Sequence, residues 1–209
     1  MIYLIGGAPR CGKTILSQRI ASQKNISCIS TDTIRPMVLA CTPKSQINKK
    51  FPYEKLQLEK DATPYQDMIY NSPRILLRAE ITESKTLWLS TRRMIEHLID
   101  CQQDYIIDGV HLMPVLVNQL KGTRYWKQIR SVYLVKTDLD EIKDGFSRSE
   151  SRHDWLSSAL KDKDLVDKTA RMVQTKSVYI ADQAEKNGFT VVDTGKDFEQ
   201  KLNALSRKF

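Results

Sequence analysis

A nine-residue stretch near the start of the chain, GGAPRCGKT at positions 6–14, constrains the fold more than any other feature of the sequence. Four mainly apolar residues, IYLI at 2–5, precede it, and a helical pattern over 13–24 follows it. Glycine contributes little to a packed core, because its backbone loses more entropy on folding than that of any other residue. Something other than packing therefore selects this stretch, and its place between a strand and a helix predicts a ligand-binding loop.

Within this stretch, Gly7, Gly12, Lys13 and Thr14 fit the pattern Gly-x-x-x-x-Gly-Lys-Ser/Thr of a phosphate-binding loop. Glycines let backbone N–H groups surround phosphate oxygens, and the helix that follows presents its positive end to the same anion. A solvent-facing Lys13 would reach the β- and γ-phosphates of ATP, and Thr14 would offer its hydroxyl to Mg²⁺. We therefore predict ATP and Mg²⁺ as cofactors. The residues expected to hold the nucleotide are Gly7, Ala8, Pro9, Arg10, Cys11, Gly12, Lys13 and Thr14.

Five short runs rich in β-branched and apolar residues predict strands that are buried on both faces. They cover residues 2–5, 26–30, 105–108, 131–135 and 189–194. Apolar residues at helical spacing lie between them, over 13–24, 85–100 and 166–186. Strands that alternate with helices indicate an α/β fold, in which helices cover both faces of a parallel sheet.

With 209 residues the chain is long enough for one sizeable core, which predicts a single domain over 1–209. Two segments do not fit the alternation of strands and helices. Residues 42–84 are polar, and we expect a largely helical insertion there that continues into the helix over 85–100. Residues 144–165 are charged, and we expect them to form a mobile lid.

Cysteine spacing and apolar runs bear on the location of the protein. Four cysteines occur without a CxxC pair or a metal-ligand spacing, which suits a reducing cytosol better than a disulfide framework. The apolar runs are too short for a signal peptide or a membrane span. We therefore expect a soluble cytoplasmic protein with no membrane partner.

Positive charge is concentrated in the first quarter of the chain. Residues 1–50 contain eight lysines and arginines and one acid, Asp32, so that +7 of the formal net charge of +8 lies there. A solvated basic surface would explain this distribution, and so would a field that attracts an anionic ligand. The phosphate-binding pattern favours the second explanation.

Asp32 and Arg35 follow the second predicted strand, in the sequence STDTIR at 30–35. Open α/β sheets bind ligands at the carboxyl ends of their strands, so Asp32 is a candidate catalytic base or metal-associated residue. The ordinary alternative is that Thr31 or Asp32 caps the helix that follows. Arg35, one helical turn later, is a candidate to bind an anionic group of a second substrate.

Asp108 ends the third predicted strand, in the sequence YIIDGVH at 105–111. An acid at this position is typical of a residue that holds Mg²⁺ through its water shell, and an Asp-Gly turn is the alternative. His111 fits a structural histidine better than a catalytic one.

Arginines supply further candidates. Arg148 and Arg152 have the i, i+4 spacing that places both on one side of a helix, where they would close over a transferring phosphoryl group. A solvated helix face paired with nearby acids explains this spacing equally well. Arg92 is a weaker candidate for contact with the second substrate.

The tetrapeptide VKTD at 135–138 is similar to the guanine-binding motif of GTPases. Val135 stands where that motif has a polar residue, and no DxxG followed by a switch-like segment is evident. A GTPase is therefore disfavoured.

Together these motifs resemble those of the small P-loop kinases, the group of adenylate, shikimate and gluconate kinases, zeta-toxin-like kinases and 2-phosphoglycerate kinase. GGAPRCGKT, STDTIRPMV and YIIDGVHLMP resemble 2-phosphoglycerate kinase most closely, although Asp108 stands where that enzyme has Glu. The resemblance implies a three-layer P-loop NTPase fold with strand order 2-3-1-4-5, a helical insertion over 42–100 that binds the acceptor, and a lid. It also implies that Asp32 contacts the acceptor hydroxyl and that Arg148 and Arg152 are lid arginines.

These expectations combine into an ATP-dependent kinase that phosphorylates a hydroxyl of a small, anionic metabolite. Cations that crowd the region after the second strand favour an anionic acceptor, although the lysines among them would also keep an insertion in solution. They are Arg35, Lys44, Lys49 and Lys50. The alternatives are a nucleic-acid or nucleotide-sugar kinase, which the pI of 9.3 favours, and a nucleotide-binding switch without catalysis. In the kinase the expected roles are catalysis by Lys13, Asp32, Arg148 and Arg152, acceptor binding by Asp32, Arg35 and Arg92, and metal binding by Thr14 and Asp108.

Overall fold

Five parallel strands form the central sheet of the protein, whose computed structural model describes residues 1–56, 72–147 and 163–209. The strands are β1 (Ile2–Gly7), β2 (Ser27–Ser30), β3 (Tyr105–Gly109), β4 (Ile129–Val135) and β5 (Thr190–Asp193). Their order in the sheet is β2-β3-β1-β4-β5, and all neighbours are parallel. The predicted α/β fold and strand order are confirmed.

Helices connect the strands and cover the sheet. In the described residues they are α1 (Lys13–Lys24), α2 (Thr31–Ala40), α3 (Lys44–Lys50), α4 (Tyr53–Leu56), α5 (Pro73–Asp100), α6 (Pro114–Val117), α7 (Leu139–Ser147), α8 (Lys163–Lys186) and α9 (Phe198–Lys208). In the three described ranges, no helix combines the length and apolar character that crossing a membrane requires.

The central strands carry the hydrophobic core. β1 is buried along its whole length, and β3 and β4 end in runs of buried residues, as parallel strands covered by helices on both faces require. The edge strands differ, because β2 exposes Ser27 and Cys28 and β5 exposes Thr190. The prediction that all five strands are buried on both faces is therefore wrong for β2 and β5, since an edge strand has a neighbouring strand on one side only.

Between β2 and β3, the part of the insertion that the structure describes is largely helical. Its main element, α5, begins at Pro73, well before the predicted start at residue 85. The Ser72 side chain accepts a hydrogen bond from the backbone N of Ile75 (3.3 Å), and proline fits the first turn because no intrahelical partner exists there for an N–H. α5 packs against α2 and α8, which brings its buried face next to the carboxyl ends of the strands.

Candidate active site

The carboxyl ends of β1, β2 and β3 bring the three sequence motifs together. β3 lies between β1 and β2, and its Asp108 pairs in register with Ile5 of β1 and Ser30 of β2. The phosphate-binding loop follows β1, and Asp32 follows β2. The loop, Asp32 and Asp108 consequently lie at one edge of the sheet, the edge at which open α/β folds bind ligands.

The phosphate-binding loop needs glycine at both of its ends. Gly7 has a φ of 141°, and a Cβ there would overlap the carbonyl group of Leu134 in β4. The next residue, Ala8, donates its N–H to that same carbonyl oxygen (3.2 Å). Gly12 has a φ of 91°, and a Cβ there would lie 2.8 Å from the Phe198 ring. Both positions therefore exclude larger side chains and hold the loop close to its neighbours.

Lys13 begins α1 with its ammonium group folded back onto the loop. Its Nζ donates a hydrogen bond to the carbonyl oxygen of Ala8 (2.7 Å), and the residue is 9% exposed. The expectation of a solvent-facing lysine is wrong, because the loop itself supplies an acceptor for the ammonium group. The next residue, Thr14, is exposed at the start of α1.

Cys11 is buried, and its side chain contacts α8. Its Sγ lies 4.0 Å from Oγ of Ser177 in α8 and 3.5 Å from the carbonyl oxygen of Pro9. Burial raises the pKa of this thiol to about 11, although the nearby ammonium groups of Lys13 and Lys136 lower it. A protonated thiol is a poor nucleophile, so Cys11 contributes packing and backbone to the loop and no covalent chemistry.

Asp108 is buried at the end of β3, next to α1. The hydroxyl of Ser17 in α1 donates a hydrogen bond to Oδ2 of Asp108 (2.7 Å) and also lies 2.9 Å from the carbonyl oxygen of Lys13. Ser17 thus connects the first turn of α1 to the carboxylate. The only signal for Ser17 in the sequence is its position one helical turn after Lys13.

Asp32 lies in the first turn of α2 but does not cap it. Oγ of Ser30 accepts a hydrogen bond from the backbone N of Asp32 (3.2 Å), so the cap is Ser30 and the alternative with Thr31 or Asp32 is wrong. The Asp32 side chain is 68% exposed, and its Oδ1 lies 3.6 Å from Nδ1 of His111. The carboxylate is therefore free of the helix end and lies near His111.

His111 is a buried residue between α2 and β3. Its Nδ1 lies 3.0 Å from Oγ1 of Thr31, and Gly109 permits this approach because a Cβ there would overlap the Thr31 side chain. Burial lowers the pKa of His111 to about 4, against the opposing effect of Glu80. The imidazole is neutral at pH 7, which agrees with the predicted structural role.

Arg35 is held by two carboxylates of the insertion. Its guanidinium donates to both oxygens of Glu83 in α5 (Nε–Oε2 2.6 Å and Nη2–Oε1 3.2 Å) and to Oε1 of Glu54 in α4 (2.8 Å). Burial opposes its charge, but hydrogen bonds and charges from Glu83 and Glu54 outweigh burial and raise the pKa of Arg35. The sequence predicted an anion beside Arg35, and the anions present are carboxylates of the protein itself.

Glu80 and Lys176 form a buried ion pair beside Arg35 and its partners, which the sequence did not reveal. Glu80 lies on α5, Lys176 lies on α8, and Lys176 Nζ also donates to the hydroxyl of Tyr53 (3.1 Å). The charge of Glu80 outweighs burial and raises the pKa of Lys176. Acids at 80 and 83 within the apolar stripe of α5 could have indicated buried ion pairs. The sequence predicts a helix only from residue 85, however, so both acids lie outside the predicted helix.

A cleft of about 1000 Å³ opens beside the phosphate-binding loop, a size that suits a nucleotide. Lys136, which follows β4, lines this cleft and is 6% exposed. Its Nζ lies 5.2 Å from the centroid of the Phe198 ring, and burial lowers its pKa. Within the described ranges, no carboxylate oxygen lies within 4.0 Å of this ammonium group. Lys136 is thus a second buried cation directed at the cleft.

The rest of the VKTD tetrapeptide has a structural role. Oδ1 of Asp138 accepts hydrogen bonds from the backbone N of Asp140 (2.9 Å) and Glu141 (3.0 Å), which caps α7. Thr137 Oγ1 donates to Oδ2 of Asp193 (2.6 Å). This use of Asp138 supports the argument against a GTPase.

The remaining arginines are less informative. Arg92 donates to Oε1 of Glu96 (2.7 Å) and Arg93 to Oε2 of the same carboxylate (2.9 Å), so Arg92 has a partner within α5. Arg148 and Arg152 lie outside the described residues, as does most of the predicted lid at 144–165.

Solved structures of three kinases align with almost the whole of this chain. A sugar kinase from Janibacter sp. HTCC2649 aligns over 98% of this chain and 91% of its own, with a TM-score of 0.52 and 13% identity. A deoxyadenosine kinase from M. mycoides aligns over 100% and 98%, with a TM-score of 0.49 and 14% identity. A shikimate kinase from Bacteroides thetaiotaomicron aligns over 100% and 97%, with a TM-score of 0.47 and 11% identity. No protein-family model and no curated protein matches the sequence.

The strand order, the helices on both faces and the similarity to the sugar kinase define the fold as that of the small P-loop kinases. At 13% identity the similarity extends to the fold and not to the substrate. The predicted resemblance to this group is confirmed at the level of fold, and the closer resemblance to 2-phosphoglycerate kinase stays a prediction.

Proposed function

We propose that the protein is a kinase that transfers the γ-phosphoryl group of ATP to a hydroxyl group of a small molecule. One observation carries the proposal: the phosphate-binding loop, the exposed carboxylate of Asp32 and the buried carboxylate of Asp108 converge at one edge of the sheet. Phosphoryl transfer to a hydroxyl needs a group that can take its proton, and the exposed carboxylate of Asp32 is available for that. The sugar kinase of the same fold supports this class of reaction.

The proposed reaction follows from the positions of these groups. Lys13 exchanges the carbonyl oxygen of Ala8 for phosphate oxygens of the nucleotide. The acceptor hydroxyl lies beside Asp32, which takes its proton as the hydroxyl oxygen forms a bond to the γ-phosphorus. The bond from that phosphorus to the bridging oxygen breaks, and ADP leaves. Positioning and charge neutralisation supply most of the acceleration in such reactions.

Thr14 and Asp108 are the proposed residues for Mg²⁺. The described residues contain no group of three or more His, Cys, Asp or Glu side chains able to hold a metal ion, which fits an ion held mainly by phosphate oxygens and water. When bound, the ion neutralises charge on the β- and γ-phosphates. Ser17 orients Asp108 for that role through the 2.7 Å hydrogen bond.

An anionic acceptor, such as a 2-phosphoglycerate-like metabolite, remains part of the proposal. Glu83 is fully buried, whereas the Glu54 side chain is 33% exposed, so an acceptor anion would replace Glu54 on Arg35 and leave Glu83 in place. The lid arginines Arg148 and Arg152 are proposed to close over the transferred group, and Arg92 to reach the acceptor after release from Glu96.

Acceptor-dependent ADP formation tests the proposal. Purified protein with ATP and Mg²⁺ would be screened against sugars, sugar acids, phosphorylated metabolites, nucleosides and a single-stranded oligonucleotide with a free 5′-hydroxyl. We expect ADP formation to increase with one class of small molecule and to be lost in Lys13→Ala. An oligonucleotide as the best acceptor, with affinity that falls steeply with salt, would favour the nucleic-acid kinase. Tight ATP binding with no acceptor-dependent ADP formation would contradict the kinase.

A further inference from the structure

Glu80 has one carboxylate oxygen that is buried without a hydrogen-bond donor. The residue is 2% exposed, and its Oε1 has no partner within the part of the chain that the structure describes. Its other oxygen, Oε2, contacts Nζ of Lys176 and lies 3.4 Å from the hydroxyl of Tyr53. Buried carboxylate oxygens without a donor are rare in folded proteins, because their desolvation is uncompensated.

The unpartnered oxygen lies between the phosphate-binding loop and Arg35. On one side, Lys176 is followed in α8 by Ser177, whose hydroxyl lies 4.0 Å from Sγ of Cys11 in the loop. On the other side, the backbone N of Tyr53 donates to Oε1 of Glu83 (2.9 Å), the carboxylate that binds Arg35. Glu80 is therefore on the side of the loop where Asp32 and Arg35 lie.

The charges around Glu80 determine which kind of hydrogen-bond donor its Oε1 is suited to accept from. Lys176 neutralises Glu80, and Arg35 neutralises Glu83, so neither carboxylate requires a further cation. The Tyr53 hydroxyl donates to the carbonyl oxygen of Leu76 (3.0 Å) and is already used. The remaining requirement is a neutral donor, for which a hydroxyl group is the simplest choice.

We infer that Oε1 of Glu80 accepts a hydrogen bond from a second hydroxyl of the phosphoryl acceptor, which makes the acceptor a polyhydroxylated molecule such as a polyol, sugar or sugar acid. This inference rests on the proposed kinase function. The hydroxyl of Tyr53 in α4 contacts the ion pair, and α4 is four residues long and contains no fully buried residue, so we expect a shift of α4 to give the acceptor access to Glu80. A sugar acid could donate a hydroxyl hydrogen bond to Glu80 and bind Arg35 through its carboxylate.

The experiment compares matched acceptors and matched variants of the full chain. Glycerate, which has two hydroxyls, would be compared with lactate and 3-hydroxypropionate, which each keep one of them, and D-ribose with 2-deoxyribose. We expect the best acceptor to be polyhydroxylated and its deoxy analogue to lose at least tenfold in kcat/KM. Glu80→Gln should raise the KM for that acceptor about tenfold and leave the KM for ATP unchanged, because a neutral amide accepts a weaker hydrogen bond.

Two further variants separate binding from folding. Asp100→Asn makes the same chemical change at the far end of α5 and should match the wild type. If Glu80→Gln leaves Lys176 uncompensated and prevents folding, the double variant Glu80→Met/Lys176→Met removes both charges together, and it should fold and still show the raised acceptor KM. A folded variant with wild-type KM for the acceptor, or a monohydroxylated best acceptor, would overturn the inference but not the kinase. Absence of acceptor-dependent ADP formation would overturn both.

Discussion

The exposed carboxylate of Asp32 lies 3.6 Å from Nδ1 of the buried His111. Because burial lowers the pKa of His111 to about 4, the imidazole is neutral at pH 7 and does not form an ion pair with Asp32. His111 therefore leaves the negative charge of Asp32 in place, as a group that accepts a proton requires.

Replacement of Asp32 by Asn should reduce phosphoryl transfer far more than nucleotide affinity. The amide keeps the size of the side chain but removes the negative charge, and Ser30 continues to cap α2. We expect kcat to fall by about two to four orders of magnitude if Asp32 is a general base. The measurements are kcat for the acceptor and the Kd for ATP. A variant with wild-type turnover and reduced thermal stability would contradict the catalytic role.

Acid should destabilise the protein through His111. Its pKa is about 4 in the folded protein and about 6.5 when exposed, so the unfolded chain binds more protons between these values. Stability from this group is therefore complete above pH 6.5 and is lost as the pH falls toward 4, by at most about 3 kcal/mol. Urea unfolding at pH 7 and pH 4.5 should show a smaller loss in His111→Gln than in the wild type. Equal losses would show that His111 titrates normally.

Lys13→Ala should abolish turnover and leave the fold intact. The side chain donates one hydrogen bond to the loop, from Nζ to the Ala8 carbonyl oxygen, and packs little of the core. We expect turnover to fall at least about a hundredfold, because the developing charge on the phosphates loses its nearest cation. Circular dichroism would verify the fold, and Lys127→Ala on the surface serves as a control. Wild-type turnover in Lys13→Ala would refute the phosphate-binding loop.

Arg35→Lys should raise the KM for an anionic acceptor about tenfold and leave that for ATP nearly unchanged. Lysine cannot reproduce the fork that binds both oxygens of Glu83, so thermal stability should also fall. Glu54→Gln provides the comparison, because it removes the carboxylate that an acceptor anion would replace. It should lower the KM for an anionic acceptor. A neutral best acceptor, with Arg35→Lys equal to the wild type in KM, would leave the anionic-acceptor prediction without support.

Lys136→Met should weaken nucleotide binding about tenfold, since it removes a buried cation that lines the cleft beside the loop. Methionine is unbranched and nearly as long as lysine, so the substitution removes the charge and its contact with the Phe198 ring while it fills most of the same space. Direct titration with ATP, ADP and AMP would measure the effect, and Lys136→Arg should restore most of the affinity. Unchanged binding of all three nucleotides in Lys136→Met would mean that the lysine has no contact with the ligand.

Local sequence was sufficient for the five strands and for their alternation with helices, but not for the start of α5 or for the helix α9. A phosphate-binding loop is contiguous, and its glycines at 7 and 12 reflect backbone conformations that few other residues adopt. Alternation of strand and helix patterns likewise predicted the parallel sheet. The sequence also predicted that Asp32 and Asp108 lie at one edge of the sheet, because the carboxyl ends of parallel strands meet there, whereas their roles stay a prediction.

The partners of those residues were decided by tertiary structure alone. The charge around the first fifty residues depends on which distant acids lie next to them in the fold. Arg35 forms ion pairs with Glu54 and Glu83, and Arg19 forms one with Glu199. The Glu80–Lys176 pair joins residues that are 96 positions apart, and no local pattern encodes that approach. The charge and the burial of a site depend on all residues that are close in space, whereas the sequence shows only which residues are close along the chain. The sequence therefore determined the strand order and the glycine-rich loop, and the packing of α4, α5 and α8 decided the charges around Arg35.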